Sequence, residues 1–343
     1  MEGYGGVERL TVREVRRPDP GTGQVLVRVM AAGLNPLDCK IRRGRLRLLR
    51  PASFPLVPGF DVAGEVAAVG PEVSDFEPGD EVFAMLDSEH GGGCAEYAVA
   101  NRSGVALKPR ELSWDEAAAL PLAALTALQA LRDAADLRSG QRIAIVGAAG
   151  GVGHFAVQIA AAFGARVTAV AGPSHQGFVL QLGAERAVDY TREDFTALDP
   201  AGGGASGALG AMGRGDDGEG DGDGDGGIYE TIFDTAGVLR FGDCEPALAA
   251  GGIYVTTRRG PAIALAGLRA GLAALIDPRA VRRAAAVAVR PSGADLADLG
   301  ELAADGLLRP AIERVYPLAA VGAAQAALES GHVRGKLVLR IDA

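Results

Sequence analysis

The sequence predicts a two-domain α/β fold in which a doubly wound parallel sheet is joined to a smaller β-rich module. Three observations support this prediction. The chain has 343 residues, enough for two domains with separate cores. Residues 141–171 read as a strand, a glycine-rich turn, a helix and a second strand, which is one βαβ unit. Residues 1–100 instead contain short strands separated by glycine and proline turns.

The βαβ unit is the most regular stretch of the chain. An apolar run at 143–146 has the length of a buried strand. Apolar residues then recur at helical spacing over 155–163, and Gly164 is placed to end that helix. A β-branched run at 166–170 supplies the second strand, so the two strands should lie parallel.

The glycine-rich turn between the first strand and the helix predicts a dinucleotide site. One glycine permits the tight turn, the next let backbone N–H groups approach a diphosphate, and the last lets the helix pack on the strand. The helix N-terminus adds a partial positive charge. A purely structural turn is the alternative. The candidate cofactor-binding residues are Gly147, Ala148, Ala149, Gly150, Gly151, Val152 and Gly153.

The end of the second strand bears on which dinucleotide binds. An NAD site usually places Asp or Glu about 20 residues beyond the glycines, on the ribose. No acidic residue occurs between Gly164 and Ala184. Ser174 and His175 follow the strand as candidate donors to a 2′-phosphate, and no Lys or Arg stands beside them. We therefore predict NADPH, mainly because the carboxylate that would repel a 2′-phosphate is missing.

Composition and charge exclude several classes of function. Hydrophobic residues make up 48% of the chain and charged residues 22%, as in ordinary globular proteins. The net charge of −9 argues against nucleic acid, which needs a basic face. No apolar run reaches the roughly 18 residues of a membrane span, and no signal-peptide pattern is present. Three cysteines without metal-like spacing suit a reducing compartment, so we expect a cytoplasmic protein.

Other elements follow from local pattern. Ser113 is placed as an N-cap with Glu116 at the capping-box position, so a helical pair should occupy 113–135. A helix is predicted over 181–187 with a strand at 188–190. The remaining predicted strands are 25–29, 61–69, 80–83, 228–233, 252–256 and 336–341, and the remaining predicted helices are 262–276 and 296–305.

Residues 202–227 interrupt this order. They are glycine and acid with almost no apolar content, and such a segment buries too little surface to offset its ordering entropy. We interpret them as a disordered surface loop. Residues 221–226 match the start of an EF-hand loop, but the twelfth position is Ile232 instead of Glu and no helices flank the segment, which disfavours calcium.

Nine stretches in this order carry a family resemblance. They are AAGLNPLDCKIRRG (31–44), PLVPGFDVAGEVAAVG (55–70), FEPGDEVFAM (76–85), GGCAEYAVA (92–100), ALPLAALTALQAL (119–131), GAAGGVG (147–153), LGAERAVDY (182–190), FDTAG (233–237) and HVRGKLVL (332–339). With them the chain resembles the medium-chain dehydrogenase/reductase superfamily, in its zinc-independent quinone oxidoreductase branch.

The resemblance implies a GroES-like β-rich catalytic domain from residues 1–120 and 290–343. It implies a Rossmann NADP-binding domain from residues 121–289, with the active site in the cleft between the two. The segment 202–227 departs from the family pattern. The start departs as well, because family members generally open with one more strand. Either that strand is missing, which would leave a sheet edge unpaired, or the start of the chain is assigned too late.

The resemblance also bears on metal. Zinc-dependent relatives hold a catalytic zinc with Cys, His and a second Cys, and motif matching places Asn35, Phe60 and Leu122 at those positions. None of the three replaces thiolate or imidazole, and no closely spaced cysteines form a structural site. The resemblance therefore implies no metal. Without a Lewis acid, reduction of an activated C=C bond or a quinone is expected instead of alcohol oxidation.

Lys40 is a candidate catalytic residue. Hydride delivery to the β-carbon of an enone builds negative charge on the carbonyl oxygen, and an ammonium would stabilise that charge. Many quinone reductases carry Tyr here, while an enone-reducing and organellar subgroup carries Lys in a similar NPxDxK motif. A solvated lysine is the equal alternative. Asn35 and Asp38, the other two candidate catalytic residues, lie in the same loop. The resemblance implies that Asn35 reaches nicotinamide or substrate, and turn formation is the alternative for both.

The resemblance assigns further residues to the cofactor. Thr126 matches a threonine near the nicotinamide, and Tyr190 matches a tyrosine near the phosphates, with core packing as its alternative. The end of a Rossmann strand and the C-terminal tail complete the set, which comprises Asp234, Thr235, Ala236, Arg334 and Lys336.

The sequence thus predicts a metal-independent NADPH-dependent reductase of quinones or α,β-unsaturated carbonyls, whose partner is a small-molecule substrate. An enoyl-thioester reductase of a biosynthetic pathway is one alternative, and a non-catalytic NADPH-binding protein is another. The resemblance also implies a homodimer, formed by edge-to-edge pairing of Rossmann sheets.

Overall fold

The computed structural model describes residues 1–48, 51–87, 91–197, 228–258, 260, 263, 265–267 and 281–341. The loop predicted at 202–227 and most of the helix predicted over 262–276 lie outside these residues.

The chain divides into two compact units. The first, the β-rich unit, consists of Met1–Gln129, Ala149–Ile159 and Ala288–Ala343. The second, the parallel-sheet unit, consists of Ala130–Ala148 and Ala160–Val287. The boundaries at residues 120 and 290 that the resemblance implied stay a prediction.

The β-rich unit is built on one largely antiparallel sheet. Numbered along the chain, its strands are β1 (Gln24–Gly33), β2 (Asp61–Val69), β3 (Glu81–Met85), β4 (Tyr97–Asn101), β5 (Val105–Leu107), β12 (Ile312–Pro317) and β13 (Lys336–Arg340). They lie in the order β12-β13-β1-β2-β3-β5, with β4 also paired to β1, and only the β12–β13 pair is parallel. The sheet folds around a core of strand valines and alanines.

Helices of the β-rich unit connect and flank this sheet. The helix after Ser113 has the predicted capping box, because Ser113 Oγ accepts the Glu116 N–H and the Glu116 carboxylate accepts the Ser113 N–H. The helices are α1 (Pro36–Arg42), α2 (Trp114–Ala119), α3 (Pro121–Gln129), α7 (Gly293–Ala304) and α8 (Val321–Glu329).

The parallel-sheet unit contains six parallel strands, which are β6 (Arg142–Val146), β7 (Arg166–Ala171), β8 (Arg186–Asp189), β9 (Tyr229–Asp234), β10 (Leu248–Thr256) and β11 (Arg283–Ala286). They lie in the order β8-β7-β6-β9-β10-β11. When β6 is counted as the first strand, this order is 3-2-1-4-5-6, which is the Rossmann order. Its helices are α5 (Gln176–Gln181) and α6 (Phe241–Cys244), and α4 (Gly153–Ala162) continues into it from the β-rich unit.

The predicted fold class is confirmed, and one predicted helix is wrong. The helix expected over 181–187 is α5, which ends at Gln181. Gly183 follows with φ +104°, a left-handed conformation that stops a helix, and β8 begins at Arg186. Gly164, with φ +75°, ends α4 as predicted. Within the described ranges, no helix has both the length and the hydropathy to cross a membrane.

Candidate active site

Asn35 stands between β1 and α1, and the start of α1 fixes its backbone. Asn35 has extended φ and ψ, and Pro36 follows as the first helical residue. The Asp38 carboxylate accepts the Asn35 N–H at 2.8 Å through Oδ2. Its Oδ1 accepts the Gly59 N–H at 3.1 Å. Asp38, a predicted catalytic residue, therefore holds the loop that presents Asn35 and ties it to the segment before β2.

Asp38 is completely buried, and burial raises the pKa of its carboxyl to about 7. The two backbone N–H donors and Lys336 oppose this rise, while the nearby Asp61 carboxylate adds to it. The ionised form is therefore costly in the folded protein, and the carboxyl changes charge near neutral pH.

The Asn35 side chain is 2% exposed and bridges two buried charged groups. Its Nδ2 donates to Asp61 Oδ2 at 2.8 Å. Its Oδ1 accepts from Lys336 Nζ at 2.6 Å. Lys336 Nζ also lies 3.3 Å from Asp61 Oδ2, so the three side chains close a triangle. We call Asn35, Asp61 and Lys336 the buried triad.

Asp61 is the first residue of β2 and connects the triad to α3. Its Oδ1 accepts the Leu122 N–H at 2.9 Å, which places a carboxylate on the first turn of that helix. Burial raises the pKa of Asp61, and the Lys336 ammonium, the Asn35 amide and the Leu122 N–H oppose that rise. Asp61 is thus the acceptor shared by Asn35 and Lys336.

Lys336 is the first residue of β13, and its ammonium lies on Asn35 and Asp61. Its predicted contact with the cofactor stays a prediction. Its stem passes the glycine-rich turn, since a Cβ placed on Gly151 would lie 3.4 Å from Lys336 Cδ. The preceding Gly335 donates its N–H to Ala149 O at 2.8 Å. Within the β-rich unit, one lysine side chain thus reaches from the glycine turn to Asn35.

His154 holds the start of α4 against the C-terminal segment. Its Nδ1 lies 2.9 Å from Gly150 O, and its Nε2 accepts the Ala311 N–H at 3.2 Å. An accepting Nε2 fixes the neutral tautomer with the proton on Nδ1. Complete burial lowers the pKa of His154 to about 4, so the ring stays neutral. His154 is therefore a packing residue beside the turn.

The three positions that correspond to zinc ligands in the resemblance do not form a set of metal ligands. Asn35 Oδ1 is occupied by Lys336. Phe60 is 2% exposed and packs with Ile41 and Leu56, and Leu122 packs against the same cluster. A carboxamide and two hydrocarbon side chains do not hold zinc. Elsewhere in the described part of the chain, no three His, Cys, Asp or Glu side chains come together as metal ligands do.

Lys40 lies in the last turn of α1 and is exposed. Among the described residues, its ammonium contacts no hydrogen-bond acceptor or carboxylate. Its predicted role in charge stabilisation stays a prediction, and so does the alternative of a solvated lysine.

In the parallel-sheet unit, Gly147 ends β6 at the position where the order of the strands reverses. It has φ +75°, and a Cβ there would lie 3.0 Å from Thr235 Oγ1 and from Ala236 Cβ. The protein's own packing therefore requires this glycine. Gly151, in the β-rich unit, has no such φ, and a Cβ there meets only ordinary contacts at 3.4 Å. The packing of the protein leaves room for a methyl group at that position.

The residues after β9 are held by side-chain hydrogen bonds. Asp234 is completely buried and accepts the N–H groups of Gly237 and Leu239 and the hydroxyl of Tyr254. Thr235 Oγ1 donates to Val146 O at 2.7 Å, which joins the ends of β9 and β6. Sequence reasoning missed Tyr254, whose neighbours in sequence are an ordinary apolar strand. The predicted backbone contact of 234–236 with nicotinamide stays a prediction.

The residues after β7 and β8 lie side by side. A Cβ placed on Gly172 would lie 3.6 Å from the Tyr190 hydroxyl, and Tyr190 is 65% exposed, so core packing is not its role. Ser174 is exposed and His175 half-buried, in a short 3₁₀ turn after β7. Arg192, exposed in the turn after β8, is a cation of a kind absent from the sequence around Ser174, and its Nε lies 3.8 Å from Asp189 Oδ2.

Two other predicted cofactor residues occupy different surroundings in the β-rich unit. Thr126 is buried in α3, and its hydroxyl donates to Leu122 O at 2.6 Å. Arg334 is exposed, and its N–H donates to Glu313 Oε2. The buried triad therefore stands in the β-rich unit with Thr126 one helical turn beyond Leu122, whereas Ser174, His175, Tyr190, Asp234, Thr235 and Ala236 stand in the parallel-sheet unit.

Two family models match the chain. One, described as an alcohol dehydrogenase GroES-like domain, matches residues 21–110. The other, described as a zinc-binding dehydrogenase, matches residues 182–339. Together they cover both the sheet that carries Asn35 and Asp61 and the strand that begins at Lys336.

Curated relatives and a solved structure are similar over most of the chain. A chloroplastic quinone oxidoreductase of Triphysaria versicolor is 34% identical over 98% of this chain and 96% of its own. A chloroplastic quinone-oxidoreductase homologue of Spinacia oleracea is 47% identical, over 58% of this chain and 63% of its own. A chloroplastic NADPH-dependent alkenal/one oxidoreductase of Arabidopsis thaliana is 30% identical over 98% and 77%. The quinone oxidoreductase structure from Coxiella burnetii has a TM-score of 0.80 at 30% identity, covering 99% of this chain and 98% of that one.

The Asp38→Asn variant tests the burial of Asp38 through the pH dependence of stability. A pKa raised from 3.8 to about 7 means that folding is favoured below pH 3.8 and loses that contribution as pH rises through 7. The shift corresponds to roughly 4 kcal/mol. The substituted carboxamide does not titrate, so the free energy of unfolding of the variant should rise relative to wild type between about pH 4 and 7.

Urea unfolding of both proteins at several pH values measures this difference, and the titration of His154 is common to both and cancels. Asp298→Asn, at an exposed position of α7, is the matched control and should show a constant difference. A pH-independent difference for Asp38→Asn would contradict the raised pKa.

Proposed function

Since the chain belongs to the medium-chain dehydrogenase/reductase superfamily, in its quinone oxidoreductase branch, we propose that it reduces quinones or α,β-unsaturated carbonyl compounds with NADPH, by direct hydride transfer without a metal. The chain is an oxidoreductase, and its cofactor is a nicotinamide dinucleotide. The substrate class, the preference for NADPH and the independence from metal belong to the proposal.

The observation that supports the proposal is the set of side chains at the three positions that match zinc ligands, which are Asn35, Phe60 and Leu122. An amide held by a lysine, beside two apolar side chains, offers hydrogen bonding to an oxygen and contact to a hydrocarbon. This suits a conjugated carbonyl or quinone, which needs polarisation of one oxygen and an apolar surface for its ring or chain. It does not suit alcohol oxidation, which would require a Lewis acid or a base at that position.

The residues present fit a dinucleotide. The Rossmann strand order places the reversal between β6 and β9, and ligands of such sheets bind at the carboxyl ends of the strands there. Gly147 turns the chain at that end, and α4 follows the turn with its N-terminus, the end of a helix that carries a partial positive charge. Gly151 has no side chain of its own to cover its N–H, as a bound diphosphate requires.

The preference for NADPH is supported by the residues after β7 and β8. Ser174 and His175 offer donors, Arg192 offers a cation that also lies near Asp189, and residues 172–184 contain no Asp or Glu. A 2′-phosphate would gain hydrogen bonds and charge pairing there, while the segment directly after β7 offers no carboxylate to the 2′-hydroxyl of NADH. The alkenal/one oxidoreductase of Arabidopsis is NADPH-dependent by its name, which agrees with this preference.

The chain's own residues have defined tasks in this reaction. Bound NADPH supplies the hydride. The glycine turn binds the diphosphate, and Asp234 and Thr235 shape the end of β9 that faces the crevice of the sheet. In the β-rich unit, Asp38 holds the Asn35 backbone and the triad holds its side chain, so the amide is fixed before substrate arrives. A homodimer and a cytoplasmic location remain part of the proposal.

Gly147→Ala and Gly151→Ala separate folding from cofactor binding. Gly147→Ala should lower the free energy of unfolding by about 1–3 kcal/mol, because alanine is strained at φ +75°. Gly151→Ala should change it by less than about 0.5 kcal/mol. It should nevertheless raise the Kd for NADPH at least about tenfold, since the methyl group covers the approach to the N–H. Urea unfolding and quenching of nicotinamide fluorescence measure the two effects. Wild-type affinity in Gly151→Ala would contradict diphosphate binding at this turn.

The direct test of function uses chelator-treated protein. NADPH oxidation is followed with quinones, enones and enoyl-thioesters, and NADP⁺ reduction is followed with simple alcohols. Turnover is expected with quinones or enones, unchanged by chelator or added zinc, and faster with NADPH than with NADH. Activity lost on chelation and restored by zinc would contradict the proposal. NADPH binding without turnover of any acceptor would leave a non-catalytic binding protein.

A further inference from the structure

We propose that Lys336 is a positioning residue, which fixes the Asn35 carboxamide so that its second Nδ2–H donates to an oxygen of the bound substrate. This inference rests on the proposed function for the identity of that oxygen, the carbonyl oxygen of an α,β-unsaturated carbonyl compound. It differs from the sequence-based prediction, in which Lys336 contacts the cofactor.

The charges around Asn35 allow only one orientation of the amide. Lys336 Nζ is a donor without acceptor capacity, so the atom facing it at 2.6 Å must be the carbonyl oxygen. Asp61 Oδ2 is an acceptor, so the atom facing it at 2.8 Å must be the nitrogen. A rotated amide would place N–H against ammonium and oxygen against carboxylate, two repulsive contacts in a buried site. The network therefore assigns the oxygen and nitrogen of Asn35 without ambiguity.

The Asn35 amide has a second Nδ2–H, which its contacts with Lys336 and Asp61 do not use. The Asn35 oxygen accepts from Lys336, and one Nδ2–H donates to Asp61. In the described part of the chain, the second Nδ2–H has no acceptor, although the residue is only 2% exposed. A nearly buried donor without a partner is costly unless a ligand supplies the acceptor. The polarised amide is also a stronger donor, because its oxygen bonds to an ammonium.

The chemistry of an enone provides such an acceptor. The electron pair of the transferred hydride forms the new C–H bond at the β-carbon, and the C=C pair moves so that the carbonyl oxygen becomes an enolate oxygen. A fixed N–H at that oxygen stabilises the charge in the transition state more than in the ground state. Protonation of the α-carbon by water then gives the saturated ketone. Asn35 donates throughout and does not give up its proton.

The lysine and asparagine content of the chain makes the proposal measurable. The sequence contains two asparagines, Asn35 and Asn101, and three lysines, Lys40, Lys108 and Lys336. Asn101 also bonds through both ends of its amide, to Gln24 and Asp87, and is an internal reference. Lys108 is buried as well, with its ammonium on Pro109 O, Leu112 O and Glu81, and is the matched control lysine.

The first experiment is NMR of protein labelled with ¹⁵N-asparagine, in wild type, Lys336→Met and Lys108→Met. The Asn35 amide pair should shift and exchange faster with solvent in Lys336→Met alone, while the Asn101 pair stays in place in all three. Addition of NADP⁺ with a saturated ketone should shift the Asn35 pair in wild type. An Asn35 pair that does not respond to Lys336→Met, or to the ketone, would overturn the proposal.

The second experiment separates positioning from cofactor binding. Lys336→Met should lower kcat about 100-fold, the lower range for loss of one oxyanion donor, and Lys336→Arg should recover part of it. The Kd for NADPH should stay at the wild-type value in both, and Lys108→Met should leave kcat unchanged. A raised Kd with unchanged kcat would assign Lys336 to the cofactor instead.

Two safeguards keep the outcomes distinct. If Lys336→Met does not fold, ¹⁵Nζ-lysine spectra of wild type decide, since a Lys336 ammonium that exchanges with solvent as fast as the exposed Lys40 ammonium would overturn the proposal. If wild type reduces no enone, the proposed function fails, and the asparagine spectra still show whether Lys336 positions Asn35.

Discussion

The arrangement of the β-rich unit depends on one buried ammonium, that of Lys336, held between the Asn35 amide and the Asp61 carboxylate. Lys336 and Asp61 are 2% and 0% exposed, so both charges have lost their water. Such a pair contributes little net stability, whereas removal of one partner costs about 3–5 kcal/mol because the other charge is left unpaired. Its main consequence is geometric, since it connects the first residues of β2 and β13 with the loop before α1.

This constraint joins segments that are distant in the sequence. Asp61 also receives the first turn of α3, Asp38 ties Asn35 to Gly59, and Lys336 passes Gly151. His154 and Gly335 hold the same turn against the C-terminal segment. This region contains the carboxyl groups of Asp38 and Asp61 and the ammonium of Lys336. Its net charge therefore changes when Asp38, with a pKa of about 7, titrates. Gly150 and Gly151 of the glycine turn and the polar site are thus parts of one packed region of the β-rich unit.

Local pattern in the sequence predicted much of this fold. The βαβ unit, β2, the capping box at Ser113 and the fold class follow from periodicity, turn residues and family motifs. The helix misplaced over 181–187 shows the limit, because Gly183 ends α5 through a backbone angle that apolar spacing does not encode. The candidate site was predicted less completely. Asn35 and Lys336 were identified separately, but their contact links positions 301 residues apart, and no local signal pairs them. Arg192 and Tyr254 were missed because their roles depend on the neighbouring strand.

In the proposed reaction, hydride passes directly from the nicotinamide to the substrate in a site organised by protein hydrogen bonds. Reduction of an enone by chelator-treated enzyme tests this, with two samples of NADPH, each deuterated on a different face of C4, and NMR of the product. Direct transfer predicts deuterium at the β-carbon from one of the two samples, with solvent hydrogen at the α-carbon. Deuterium absent from the product of both samples, or a requirement for added metal, would contradict direct transfer without a metal.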